Sequence, residues 1–297
     1  MTAIRAVSKP HGEASRPAPD VRHQSFLVYR RSLYLKIAVA ATTVAILLYL
    51  AHSPDGVRPY GGTWLGYLLG TIGALLIVWL MWFGYRKRSY TTNQGKLEAW
   101  LSAHVYFGLS LLVIATLHTG FHFGWNIHTL AYALMCIVIL SGACGVFFYV
   151  YCPPLMTQNR RGATMTQMMT RIAALNDEIT AKAMALDNAT VALIRAATET
   201  TIVGGSFWQQ LTGHYPDCTT ANALKTLTRG AATGSAHAET LRQVRMLLDE
   251  KAQLLTRARR DLGHKAKLDA WLYVHVPLSF GLLAALLAHI IAVFIFW

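Results

Sequence analysis

KLEAWLSAHVYFGLSLLVIATLHT, residues 96–119, is the stretch around which the chain is organised, because residues 267–297 repeat its skeleton. KLEAWLSAHV in the first stretch becomes KLDAWLYVHV in the second. Each copy carries another histidine fourteen residues further on, which gives the pairs His104 and His118, then His275 and His289. Fourteen residues at about 100° each make nearly four helical turns, so each pair shares one helix face with a rise of roughly 21 Å.

Apolar residues make up 54% of the 297 residues and charged residues only 14%. The apolar residues are concentrated in five runs long enough to cross a bilayer, at residues 37–51, 63–85, 100–123, 127–151 and 270–297. We therefore predict five transmembrane helices. The first run contains no histidine, which indicates an anchor or a packing helix outside any cofactor site.

The net charge of +13 is distributed unevenly among the connections. The N-terminal residues, the second-to-third connection and the long segment after Cys152 are basic, whereas residues 119–126 carry no charge. By the positive-inside rule this pattern places the N-terminus and the long segment in the cytoplasm and Trp297 outside, in a cell inner (plasma) membrane. Loop topology accounts for the basic charge, so we predict no nucleic-acid partner.

Residues 158–267 are mostly polar with helical periodicity, after a fourth apolar helix that we expect to end at Cys152, Pro153 and Pro154. Heptad seams run from Met168 to Ala196 and from Leu241 to Leu262, each interrupted by one lysine, Lys182 and Lys251. The pattern predicts an antiparallel coiled-coil hairpin whose second arm continues into the fifth apolar helix.

The second apolar run is rich in glycine, at Gly66, Gly70, Gly73 and Gly84. These glycines have two interpretations, close packing of helices or room for a flat ligand, and only the fourteen-residue interval between Gly70 and Gly84 favours the second. No Cys-x-x-Cys-His motif occurs, so any heme would be bound without thioether bonds.

Histidine in hydrocarbon is costly, and paired neutral imidazoles are the ligands that heme iron takes from two helices. A single such histidine often only bonds a neighbouring helix, but two pairs at one spacing favour cofactor binding. The third and fifth helices run in the same direction, so we predict that His104 pairs with His275 and His118 with His289 as axial ligands of two non-covalent b hemes.

The chain thereby resembles the diheme cytochrome b superfamily, which includes cytochrome b of bc-type complexes and ferric-reductase-like and hydrogenase-associated membrane cytochromes. The resemblance covers helices two to five and implies a four-helix bundle with two b hemes and a quinone site near one of them. The extra first helix and the long inserted segment depart from that pattern.

Further residues are candidates for heme propionate or quinone contacts. His122 and His128 lie near His118 on the outer side, and imidazole is the side chain most often used to relay protons near physiological pH. Basic residues suited to propionates lie on the inner side, at Arg86, Arg88, Lys96 and Lys267.

The predicted fold is all-α, with five transmembrane helices, a heme-binding bundle of helices two to five and the cytosolic hairpin inserted between helices four and five. Its parts are a cytoplasmic tail at 1–34, transmembrane helices at 35–152, the hairpin at 153–266 and the last transmembrane helix at 267–297. We expect an electron-transfer subunit working between a quinone and other redox subunits that dock on the hairpin or at the outer face. The alternatives are a self-contained oxidoreductase acting on a metal ion or superoxide, and a membrane receptor or scaffold without heme.

Overall fold

The structure, a computed structural model, describes residues 26–52, 59–88, 97–230 and 238–296, and every secondary-structure element in those ranges is helical. A 3₁₀ turn at Phe26–Val28 precedes nine described helices: α1 Tyr29–Ala51, α2 Trp64–Arg88, α3 Leu97–Thr119, α4 Ile127–Arg160, α5 Met165–Ala183, α6 Asn188–Glu199, α7 Phe207–Thr212, α8 Thr219–Gly230 and α9 Ala238–Phe296. The all-helical prediction is therefore confirmed for this part of the chain.

Five of these helices, α1, α2, α3, α4 and α9, are long and apolar enough to cross a membrane. Their outward faces expose large apolar side chains, among them Leu75, Leu140 and Phe294. Contiguous apolar surface of this kind is unfavourable in water and favourable in lipid. Length, composition and surface are compatible with a multi-pass membrane protein.

The apolar helices pack in a closed order, with backbone contacts between α2 and α3, α3 and α4, α4 and α9, and α9 and α2. The two helices that carry the repeated histidines, α3 and α9, thus lie across a diagonal from each other. Helix α1 packs against α3, where its Tyr49 joins a small core with Leu65 and Ile114. The first apolar helix is thus a packing element, as its sequence indicates.

An apolar core joins the four helices midway between the histidine positions. Leu111 lies seven residues from both His104 and His118, and Leu282 occupies the matching place between His275 and His289. Both leucines are buried in one cluster with Ile77, Met135 and Leu286. The sequence repeat therefore places an apolar layer, at Leu111 and Leu282, between two layers of histidines.

Helix α4 does not end at Cys152, Pro153 and Pro154, and this boundary prediction is wrong. The helix continues through both prolines to Arg160. Proline inside a helix removes one N–H donor and crowds the carbonyl of the residue four positions earlier, but here tertiary contacts hold the following turn in place. Asn159 donates hydrogen bonds of 2.7 Å to the Arg257 carbonyl and to Asp261, and Arg160 forms an ion pair with the same buried carboxylate.

The first predicted seam is not a single helix either. Helix α5 ends at Ala183, and α6 begins at Asn188 with Asp187 as its N-cap. The seam residues Met168, Ile172 and Leu175 are nevertheless buried. Asp187 accepts a hydrogen bond from the Thr190 N–H at 3.0 Å, which gives the backbone a local alternative to continuing the helix. The second seam lies on α9, which runs unbroken into the apolar part as predicted.

Helices α5, α6 and α8 bury a separate core against the first half of α9, centred on Leu175, Ile179, Ile194 and Leu248. The two seam lysines differ within it. Lys182 is exposed and donates to Gln243 at 2.8 Å, whereas Lys251 is fully buried. The Lys251 ammonium donates to the Ala197 carbonyl at 2.5 Å and to the Thr201 hydroxyl at 2.7 Å, so two of its three N–H groups have partners.

Candidate functional site

The repeated histidines occupy two levels of the packed apolar helices. At the inner level, His104 of α3 and His275 of α9 lie near enough that a charge on one would act on the other. At the outer level, the ring centroids of His118 and His289 are 6.0 Å apart, with the rings 81° from coplanar. The structure thus brings together the pairs that the parallel arrangement of α3 and α9 predicts.

At the inner level, a hydrogen-bond chain fixes the tautomer of His275. The Ser141 hydroxyl donates to the Val138 carbonyl at 2.8 Å, and its oxygen lies 2.7 Å from Nδ1 of His275. Because that hydroxyl proton is already engaged, the oxygen accepts from an Nδ1–H group. The lone pair of His275 is consequently on Nε2, the nitrogen that remains available to a metal.

Trp271 holds His275 from one turn earlier on α9. Its indole ring stacks on the imidazole at a centroid distance of 5.2 Å, and its Nε1–H donates to the Ser141 carbonyl at 2.7 Å. A Cβ at Gly145 would overlap this indole, so α4 needs a glycine there. Trp100, the matching residue of α3, instead stacks on Trp79 at 5.3 Å.

His104 is the inner histidine with an unsatisfied polar atom. Its Nδ1 is buried and has no hydrogen-bond partner among the described residues, while the Leu80 backbone lies within reach of the ring. The Phe83 ring packs beside it at a centroid distance of 5.1 Å. A buried imidazole nitrogen without a partner costs stability unless a ligand engages it.

At the outer level, α2 provides a hydrogen-bond acceptor for His118 and, at Gly70, the space that the His118 ring occupies. His118 donates from Nδ1 to the Gly66 carbonyl at 2.8 Å, which again leaves Nε2 with the lone pair. A Cβ at Gly70 would lie 2.7 Å from the His118 ring, whereas one at Gly84 would meet no atom within 4 Å. Gly70 and Gly84, although fourteen residues apart, therefore do not have equivalent surroundings.

His128 is also part of the outer level. Its Nδ1 lies 2.5 Å from Nδ1 of His289, and the two ring centroids are 4.6 Å apart. One of these nitrogens must carry the shared hydrogen, so His289 is oriented by a neighbouring imidazole. This contact had no periodic signal in the sequence because His128 lies at the start of a different helix.

The other predicted contact residues have different surroundings. His122 is exposed and its ring faces Tyr60 at 6.2 Å, and Lys267 lines a cavity between α7 and α9. The side chains of Arg86 and Arg88 and the whole of Lys96 lie outside the described residues. The roles of these five residues stay predictions.

Sequence reasoning missed the groups that orient the histidines. In the sequence, Ser141 and Gly145 stand out only as small residues, and nothing marks the Gly66 carbonyl. One signal was present, because Trp271 lies one turn before His275 and must share its helix face. Backbone acceptors such as Gly66 leave no mark in a sequence.

The donor set suits an iron porphyrin bound by two imidazoles per iron. His104, His118, His275 and His289 are imidazoles, the type of group that heme iron accepts, and two of them have Nδ1 bonded to an oxygen acceptor. A metal–imidazole bond is about 2 Å long, so rings that ligate one metal from opposite sides have centroids about 6 Å apart. The outer separation is of that size.

Neither the family models nor the curated proteins nor the solved structures include a match to this chain.

Proposed function

We propose that the chain is a membrane-integral diheme b-type cytochrome that carries electrons across the bilayer, between a quinone and a partner redox protein. The proposal places it with the diheme cytochrome b superfamily that its sequence resembles. The observation that supports it best is the arrangement of histidines: two helices on one diagonal, each with two histidines at one spacing, bring them together in two level pairs.

In this proposal α2, α3, α4 and α9 form the heme-binding bundle. His104 and His275 hold the inner heme, and His118 and His289 hold the outer one. A bound heme supplies a one-electron carrier that needs no proton or hydride. The protein sets the ligand orientation through Ser141 and the Gly66 carbonyl, as such outer partners do at metal sites.

The separation of the two levels follows from the helix repeat. Fourteen residues give a rise of roughly 21 Å, which is most of the hydrocarbon thickness of a bilayer. The layer around Leu111 and Leu282 fills the space between the levels with apolar side chains and keeps water out. Two centres at these depths would connect the faces of the membrane.

The outer level also offers a place for proton exchange with a quinone. His128, at the start of α4, bonds His289 directly, and the exposed His122 lies on the connection that precedes α4. Imidazoles accept and release protons near neutral pH, as quinone chemistry requires. Partner redox subunits would dock at this face or on the cytoplasmic helices α5–α8.

The test is heme content and spectrum of the purified full chain and of single histidine variants. We expect about two b hemes per chain in a pyridine hemochrome assay, one for each level pair. His104→Ala should remove the inner heme and keep the outer one, and His289→Ala should do the reverse. The retained heme reports that each variant is folded.

His214→Ala is the matched control, because His214 is exposed and outside the apolar helices. It should keep both hemes. A heme-free wild-type protein would refute the proposed function, and a His104→Ala variant that retains both hemes would refute the ligand assignment.

A receptor or scaffold is the second candidate, and one observation favours it. Helix α9 runs without a break from the core at Leu248 to the apolar residues near His289, so it would connect a change in one part to the other. Heme-free protein that self-associates through residues 165–262 would support this function instead.

A further inference from the structure

A cavity of about 450 Å³ lies between α7, the connection that follows it and the middle of α9. Its volume is in the range of small-molecule sites. Four basic residues are among those that line it: Arg259, Arg260, His264 and Lys267. Asp217 and Asp261 are close in sequence, but neither lines the cavity, and Asp261 is buried against Asn159 and Arg160. The described lining therefore contains basic residues and no carboxylate, although the buried Asp261 carboxylate lies near enough to act on His264.

Two nitrogens of this lining have no partner. Nε of Arg259 and Nδ1 of His264 are buried and make no hydrogen bond to any described residue. The remaining Arg259 groups are fixed: the guanidinium donates to the Ile202 carbonyl at 2.6 Å and to Cys218 Sγ at 3.3 Å, and it lies 4.1 Å from the Tyr215 ring centroid. Both nitrogens are closed off from solvent, so they mark a wall whose polar groups are incompletely satisfied. The exposed Arg260 and Lys267 are the groups that an anion with several acceptor oxygens would meet directly.

The electrostatic effect of the lining is visible at Cys218. Burial raises the pKa of its thiol, but the hydrogen bond from Arg259 and the backbone N–H groups of Ala221 and Thr220 lower it, and the net shift is downward. The cavity wall thus favours negative charge.

The position of the cavity indicates the source of the anion. Its α9 residues lie just before the apolar part of that helix, and α7 presents aromatic side chains beside it. The Phe207 ring is 6.4 Å from the Tyr273 ring, and Trp208 is 70% exposed. Exposed Trp and Tyr next to an apolar helix are typical of the membrane–water interface, where basic pockets bind lipid headgroups.

We infer that this cavity binds the phosphate of an anionic membrane lipid at the cytoplasmic face, with Arg259, Arg260, His264 and Lys267 as its donors. This role goes beyond electron transfer and does not depend on the histidine pairs. The lipid would join α7 to α9 at the point where the extramembrane helices meet the bilayer.

The experiment follows the rate at which Cys218 is alkylated in the full chain purified in neutral detergent, with Cys218 as the reporter because it lines the cavity. Short-chain phosphatidylglycerol, short-chain phosphatidylcholine and inorganic phosphate are added separately at equal concentration. We expect only phosphatidylglycerol to slow alkylation by several-fold. Cys136, which lies in α4 away from the cavity, gives the internal reference.

The decisive variant is Arg260→Gln/Lys267→Gln, which removes two exposed cationic groups of the lining. Its apparent affinity for phosphatidylglycerol should fall by about tenfold or more, since charge-assisted hydrogen bonds are lost. Arg257→Gln/Lys265→Gln removes the same charge from the same helix outside the cavity lining and should bind as the wild type does.

Three results would overturn the inference. Equal protection by inorganic phosphate would assign the cavity to a soluble phosphate compound instead of a lipid. Equal protection by phosphatidylcholine would exclude recognition of a net negative charge. Absence of protection by all three added compounds would exclude a phosphate site. Native mass spectrometry, which detects lipid retained on the purified protein, provides a second measurement.

Discussion

Gly145 determines how the inner histidine is supported, because Trp271 occupies the space where a side chain would be. An added Cβ would overlap the indole, and the indole is also held by its bond to the Ser141 carbonyl. We therefore expect Gly145→Ala to displace Trp271 and lower stability by about 1–3 kcal/mol, as overpacking does. Thermal unfolding in detergent is the measurement.

Gly84→Ala is the control for this change, because a Cβ at Gly84 meets no atom of the described residues within 4 Å. Alanine also favours helix over glycine. Its melting temperature should be equal to or above that of the wild type. A Gly145→Ala protein as stable as the wild type would contradict the account of Trp271.

Lys251 makes the extramembrane core sensitive to pH. Burial lowers its pKa from 10.5 to about 8, and the nearby Cys218 acts in the opposite direction. Between those two values the unfolded chain binds more protons than the folded one, so the free energy of unfolding should rise with pH across this window. Below a pH of about 8 both states are protonated, and the cost of burying the charge is fully present.

Lys251→Met should remove the Lys251 part of this rise and increase stability at neutral pH, because a buried charge is replaced by an apolar chain of similar length. The Thr201 hydroxyl already donates to the Ala197 carbonyl at 2.8 Å and keeps that acceptor satisfied. Unfolding of the full chain, followed by circular dichroism at several pH values, tests this. Lys182→Met, at the exposed seam lysine, should keep the wild-type slope, and equal slopes in all three proteins would refute the prediction.

At the scale of the helices, periodicity predicted what is buried better than where helices end. The seams correctly predicted that Met168, Ile172 and Val244 are buried in a core. Apolar residues that repeat every 3.5 positions lie on one side of a helix, and that side packs against its neighbours. They could not reveal the break between α5 and α6, because the first seam keeps its phase across residues 184–187. That break depends on the Asp187 cap, a local contact.

The two prolines of α4 show the opposite error. Pro153 and Pro154 are strong local signals for a helix end, yet Asn159 and Arg160 are bound to the distant Asp261 on α9. Contacts between residues about one hundred positions apart cannot be read from a local pattern. The same limit applies to the histidine sites. The histidine spacing predicts which histidines lie at one level, but the Ser141 and Gly66 acceptors can be identified only once the packing of the helices is known.

At the scale of the whole molecule, the repeat gives two helices with matching polar and apolar layers. His104, Leu111 and His118 on α3 correspond to His275, Leu282 and His289 on α9. Because the helices run in the same direction, equivalent layers face each other. Antiparallel helices would instead bring the first histidine of one to the level of the second histidine of the other.

Charge predicts the direction of this arrangement across the membrane, and cysteine labelling can test the prediction. The connection at 119–126 carries no charge, whereas the extramembrane helices are basic, so the two should lie on opposite sides. Trp125→Cys and Met184→Cys, both at highly exposed positions, are introduced into a chain without its four native cysteines. In intact spheroplasts a membrane-impermeant maleimide should label position 125 and not position 184, and permeabilised cells, in which both should react, provide the control. Labelling of position 184 in intact spheroplasts would contradict the predicted orientation. The cationic cavity and the inner histidine pair would then lie on the outer side of the membrane.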